Sequence, residues 1–114
     1  DDGGAVDMFS KNFELVFKSC LFENNFAGDD GGAVSVNTAN DDFTVLDSTF
    51  INNTAEEGNG GAFRIYSGNY HVSIKNSSLM YNTGMSGAGV YAVAGNYNFD
   101  MTDVLVEGNV AQTD

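Results

Sequence analysis

Proline and tryptophan are absent from this 114-residue sequence, only four residues are basic, and cysteine occurs once. Each absence excludes something. The single thiol, Cys20, has no internal disulfide partner, so it does not reveal the redox compartment. Lys11, Lys18, Arg64 and Lys75 face 16 acidic residues, a formal charge of −12 that repels a nucleic-acid backbone and an anionic membrane surface. No apolar run approaches the roughly 18 residues that cross a bilayer as a helix, so direct membrane insertion is not expected. No charged start followed by an apolar middle marks a signal peptide.

What is present in quantity is glycine, asparagine and aspartate. Fourteen glycines beside many Asn and Asp describe strands and tight corners, because these residues tolerate the left-handed backbone that corners need. A hydrophobic content of 42% supplies a modest core for one domain.

The corners recur. Gly3/Asn25, Gly31/Asn53, Gly60/Asn82 and Gly87/Asn109 open and close four copies, each pair separated by 22 positions. Every change of length falls in the linkers Phe26–Asp30, Thr54–Asn59 and Thr83–Ser86. A fixed body with one elastic corner is the mark of a solenoid.

Within each copy apolar and polar residues alternate with the period of a half-buried strand. The first rows are Val6/Met8, Val34/Val36, Phe63/Ile65 and Val90/Ala92, and the second are Leu15/Phe17, Phe43/Val45, Val72/Ile74 and Phe99/Met101. Phe22, Phe50, Leu79 and Val106 mark a third strand, two residues after Cys20, Ser48, Ser77 and Val104. The pattern predicts an all-β, right-handed parallel β-helix of about four coils of 27–29 residues, with three short strands per coil. As one segment of a longer chain, its coils read as 1–28, 29–57, 58–84 and 85–114. Asn12, Asn40, Asn69 and Asn96 form one column and the closing asparagines another; both are expected to make hydrogen-bonded ladders while taking the left-handed corner. Leucine-rich repeats and propeller blades fit less well, since the columns hold Phe, Val and Ile and a blade needs about 40 residues.

The motifs Gly3-Gly4-Ala5-Val6, Gly31-Gly32-Ala33-Val34 and Gly60-Gly61-Ala62-Phe63 alternate with Phe22-Glu23-Asn24-Asn25 and Phe50-Ile51-Asn52-Asn53. Later copies drift to Gly87-Ala88-Gly89-Val90, Leu79-Met80-Tyr81-Asn82 and Val106-Glu107-Gly108-Asn109. This alternation resembles the repeat of the chlamydial polymorphic outer membrane proteins. The resemblance implies a β-helical passenger segment, exposed at a cell surface and adhesive.

Outward positions of the first strand carry Asp7, Ser35, Arg64 and Tyr91, with Phe9, Asn37, Tyr66 and Val93 beside them. One Asp and one Arg two coils apart do not make the paired carboxylates of a glycosidase, so no catalytic residue is assigned. Phe9, Tyr66 and Tyr91, with Arg64, form instead a candidate surface for a glycan or a protein. Asp1-Asp2, Asp29-Asp30 and Glu56-Glu57 stack in the elastic corner. Charges about 4.8 Å apart repel by roughly 1 kcal/mol in bulk water, which makes calcium a candidate ligand of Asp29, Asp30, Glu56 and Glu57. The competing reading is a solvated acidic edge.

His71 shares a corner column with Glu14, Asp42 and Asn98 and reads as solvated, with no metal site expected there; Cys20 reads as a buried, inert thiol. Asn52 and Asn76 begin glycosylation triplets that apply only in a eukaryotic secreted protein. Together these readings describe a non-enzymatic extracellular or cell-surface scaffold that binds a partner. The alternatives are a subunit of an extracellular filament or appendage assembled by coil stacking, and a polysaccharide-active enzyme.

Overall fold

A computed structural model describes residues 1–112. It contains strands and corners, and no helix among the described residues. Among the described residues sixteen strands, numbered along the chain, form four parallel sheets. Sheet A joins β1 (Val6–Ser10), β5 (Val34–Thr38), β9 (Phe63–Ile65) and β13 (Val90–Ala92). Sheet B joins β2 (Val16–Lys18), β6 (Asp41–Leu46), β10 (Tyr70–Lys75) and β14 (Tyr97–Thr102). Sheet C joins β3 (Leu21–Glu23), β7 (Thr49–Ile51), β11 (Ser78–Met80) and β15 (Leu105–Glu107). Sheet D joins β4 (Phe26–Ala27), β8 (Thr54–Ala55), β12 (Thr83–Gly84) and β16 (Val110–Ala111).

The register follows the repeat. Val6 pairs with Val34, Val34 with Phe63 and Phe63 with Val90, offsets of 28, 29 and 27. Identical positions therefore lie above one another, as a parallel β-solenoid requires. Sheet D is the difference from the three expected strands per coil. It occupies the first two residues of each linker, which confines the elastic corner to residues 28–30, 56–59 and 85–86.

Sheet D also explains the paired glycines. The turn itself is at the first of each pair, where Gly31 and Gly60 have φ of 68° and 74°. The second glycine is needed for a different reason. A Cβ on Gly32 would sit 2.2 Å from the Gly61 carbonyl oxygen and 2.6 Å from the Thr54 backbone of β8, and neither neighbour is free to move.

The core fills the middle of the stack. Val34, Val36, Phe43, Val45 and Phe50 of the second coil, and Phe63, Ile65, Val72, Ile74 and Leu79 of the third, are all 0% exposed. Phe50 stacks on Phe22 at 4.5 Å with an interplanar angle of 5° and meets Phe63 at 4.3 Å. The inward rows of the outer coils are more open: Leu15, Phe17 and Phe22 are half-buried, and Phe99 is 36% exposed. Neighbours on both sides, rather than an inward position alone, decide how far a side chain is buried.

Both asparagine ladders form. Asn12 donates its backbone N–H and Nδ2 to Asn40 Oδ1, Asn40 repeats this to Asn69, and Asn69 to Asn96. Asn25, Asn53, Asn82 and Asn109 do the same. The ladder asparagines do not, however, take the left-handed corner. Positive φ falls on the residue before each: Lys11, Ala39, Gly68 and Gly95 in one column, and Asn24, Asn52, Tyr81 and Gly108 in the other. A non-glycine residue there costs about 1–2 kcal/mol, which the inter-coil hydrogen bonds offset.

A third ladder runs through the column that reads as core. Ser48 Oγ accepts from the Cys20 backbone N–H at 3.1 Å and donates to the Leu46 carbonyl at 2.7 Å; Ser77 Oγ does the same for Ser48 and Lys75. Cys20 takes a serine's place in the outermost coil. It is half-buried, with Sγ 3.3 Å from the Lys18 carbonyl, rather than enclosed.

Candidate functional site

The outward face of sheet A gathers the polar side chains that differ between coils. Strand pairing sets Asp7, Ser35, Arg64 and Tyr91 in one row. Asn37 bridges the first and third members of this row: its Nδ2 donates to Asp7 Oδ1 at 2.8 Å, and its Oδ1 accepts from Arg64 Nη1 at 2.9 Å. Arg64 Nε stands 3.3 Å from Asp30 Oδ2 as an ion pair, and the guanidinium lies 4.2 Å from the centre of the Tyr66 ring. The Arg64 side chain is only 13% exposed.

Arg64 therefore ties the second and third coils together, and its charge is engaged from within. Ser35 lies beneath this network, fully buried, with an Oγ that has no partner. Phe9 is the most open of the aromatic candidates at 77% exposure, and Tyr66 is 40% exposed with one ring face covered by Arg64. Tyr91 is half-buried. Phe9 and Tyr66 occupy one outward column with Asn37 between them, so a partner meets them as two separate apolar points.

Electrostatics on this face favour the neutral form of Asp7. Desolvation raises its carboxyl above the ordinary value of 3.8, Asp2 adds to this, and Asn37 and Arg64 oppose it. A raised folded-state pKa means that the stabilising contribution of Asp7 is present below the ordinary carboxylate range and lost as pH rises through the raised value. Asp7→Asn keeps an acceptor for Asn37 and removes the charge. It is expected to raise the Tm slightly at pH 7 and to leave it unchanged near pH 3; thermal unfolding at both pH values checks this.

The acidic corner does not converge. Asp30 is turned toward Asn59, whose backbone N–H donates to its Oδ1 at 2.6 Å, and toward Arg64. Asp29, Glu56 and Glu57 are exposed. The triplet asparagines Asn52 and Asn76 are both exposed at corners, Asn76 with its Nδ2 donating to Asp47 Oδ1 at 2.7 Å.

Among the described residues, one group of three ligating side chains brings its donor atoms together, and it lies elsewhere: Asp41, Asp42 and His71. His71 is 54% exposed yet paired, with Nδ1 2.9 Å from Asp41 Oδ1 and 3.3 Å from Asp42 Oδ1. The corner column places Asp42 beside His71 but says nothing of Asp41. Its own column mates are Phe13, Tyr70 and Tyr97, which carry no such chemistry.

Residues 19–37 and 47–65 match the sequence profile of the Chlamydia polymorphic membrane protein repeat. These two stretches, 38 of the 114 residues, are similar to that repeat. Each matched stretch holds one closing Phe-x-x-Asn and the Gly-Gly-Ala that follows it, so the polymorphic membrane protein unit spans sheets C and D and enters sheet A. In the drifted copies Leu79 and Val90 hold the same register as Phe50 and Phe63. No curated protein and no solved structure matches the chain. Repeats of this kind belong to a family of surface or outer-membrane proteins.

Proposed function

We propose that these coils are a non-enzymatic scaffold that presents an adhesive, partner-binding surface on the outward face of sheet A, outside the cell. The polymorphic membrane protein repeat is the observation that carries this reading. A second feature supports it: on the outward face of sheet A, Phe9 and Tyr66 are exposed beside the Asp7–Asn37–Arg64 network. Two ring anchors set in a polar surround suit a protein or glycan partner.

The test is binding of the labelled chain to glycan arrays and to cell surfaces. The double variant Phe9→Ser, Tyr66→Ser is expected to lose at least about tenfold in binding, the cost of removing anchor residues, while keeping the wild-type circular dichroism. Equal binding by the variant removes sheet A as the surface. Turnover of acidic polysaccharide by the chain removes the non-enzymatic reading.

A further inference from the structure

Asp41 and Asp42 open β6, and His71 is the second residue of β10, in the next coil. Asp42 and His71 are equivalent positions of adjacent coils and share the left-handed corner conformation, with φ of 54° and 50°. Equal backbone geometry sends their side chains out of the stack side by side, and Asp41 joins them. The donor atoms of all three lie within 4.8 Å of one another.

The arrangement is short of positive charge. Nδ1 of His71 carries at most one hydrogen, yet it faces two carboxylate oxygens, at 2.9 and 3.3 Å. That hydrogen cannot be donated fully to both, and the oxygens repel. Among the described residues no lysine or arginine answers them: Lys75 pairs with Asp100 at 3.8 Å, and Arg64 with Asp30.

The distances identify what fits. Zinc holds nitrogen and carboxylate oxygen at about 2.0–2.2 Å, so two ligands of one ion at right-angled to tetrahedral geometry stand about 2.9–3.5 Å apart. Both observed separations from Nδ1 fall in that range. An imidazole with two carboxylates is a donor set for a first-row divalent metal, whereas calcium takes oxygen donors throughout. Glu14 and Asn98 occupy the same corner column, one coil to either side, and offer oxygen donors that water can supplement. The site is open to solvent, and the net charge of −12 draws cations to it.

We propose that Asp41, Asp42 and His71 bind a divalent transition metal of the zinc class, which clips β6 to β10 across adjacent coils. The experiment is calorimetric titration of the folded, EDTA-stripped chain with zinc chloride, alongside His71→Asn and Asp42→Asn. Asparagine suits both positions because Asn98 occupies this corner with the same positive φ. The expected result is one zinc per chain and a higher Tm with zinc. Each variant weakens binding at least about tenfold, in keeping with the loss of a residue on which metal affinity depends, and keeps the wild-type circular dichroism. No zinc binding by the wild-type chain, or a loss of less than tenfold in either variant, overturns the proposal.

Discussion

Asn53→Asp is expected to destabilise the protein by about 3–5 kcal/mol at neutral pH, the cost of an uncompensated buried charge, although it alters only the terminal amide. Asn53 is 0% exposed and uses its whole side chain. Its Oδ1 accepts from Asn25 N–H at 3.0 Å and from Asn25 Nδ2 at 2.8 Å, and its Nδ2 donates to the Phe22 carbonyl at 3.0 Å and to Asn82 Oδ1 at 2.9 Å. A carboxylate keeps the acceptor half of this exchange and loses the donor half. It also sets a charged oxygen against two carbonyl oxygens in a region closed to water, where an unmade hydrogen bond is most costly.

The pH dependence separates charge from shape. Burial beside acceptors raises the folded-state pKa of the introduced carboxyl above its unfolded value of about 3.9. The deficit is therefore small below that value, where the neutral acid can donate to Asn82 Oδ1, and grows as pH rises through the raised pKa. Urea unfolding of the wild type and the variant at pH 3.5 and 7.5 measures it. A deficit below about 1 kcal/mol at pH 7.5 would mean that the ladder adds little net stability. Equal deficits at both pH values would refute the charge argument. Asn25→Asp is the control and costs less, because Asn25 is half-buried and donates to one ladder partner only.

The ladders could be anticipated because they rest on two things visible in a sequence, a constant distance from each opening glycine and one residue type in a column. Sheet D rests on neither. Two residues are too few to show alternation, and its outward column, Phe26, Thr54, Thr83 and Val110, has no common chemistry. The left-handed corners were misplaced by one position for a related reason. Asparagine tolerates positive φ, so the eye goes to the ladder asparagine. The stack needs that residue's N–H aimed at the Oδ1 of the coil above, and the turn falls on its predecessor, even where that is Lys11, Ala39 or Tyr81.

Ser48 and Ser77 show the limit of inward and outward rows as a guide: they point inward at a corner, where backbone groups rather than apolar side chains await them. Arg64 shows the limit of exposure as a guide. Its outward row placed it on the surface, but Asn37 and Asp30 of the coil beneath draw it down. Columns compare like positions, so neither this strut nor the Asp41–His71 contact, which joins unlike positions of neighbouring coils, is visible until the coils are stacked.

Phe50→Ala is expected to cost about 3–5 kcal/mol, while the same truncation of Phe99 costs about 1 kcal/mol, although both residues occupy inward positions of the repeat. Phe50 is enclosed by Phe22 stacked on one side and Phe63 tilted against the other, at 4.5 and 4.3 Å. Its removal leaves a void that the parallel strands of sheet C cannot close, because their register is fixed by β3 on one side and β11 on the other. Phe99 pairs with Val72 below but is already 36% exposed, so its truncation loses part of a contact and opens no closed cavity. Equilibrium urea unfolding of both variants reads the difference. If Phe99→Ala costs as much as Phe50→Ala, each coil contributes equally and burial from both sides is not what sets the energy; if Phe50→Ala costs under about 2 kcal/mol, the middle coils relax into the void and the stack is more pliable than its ladders imply.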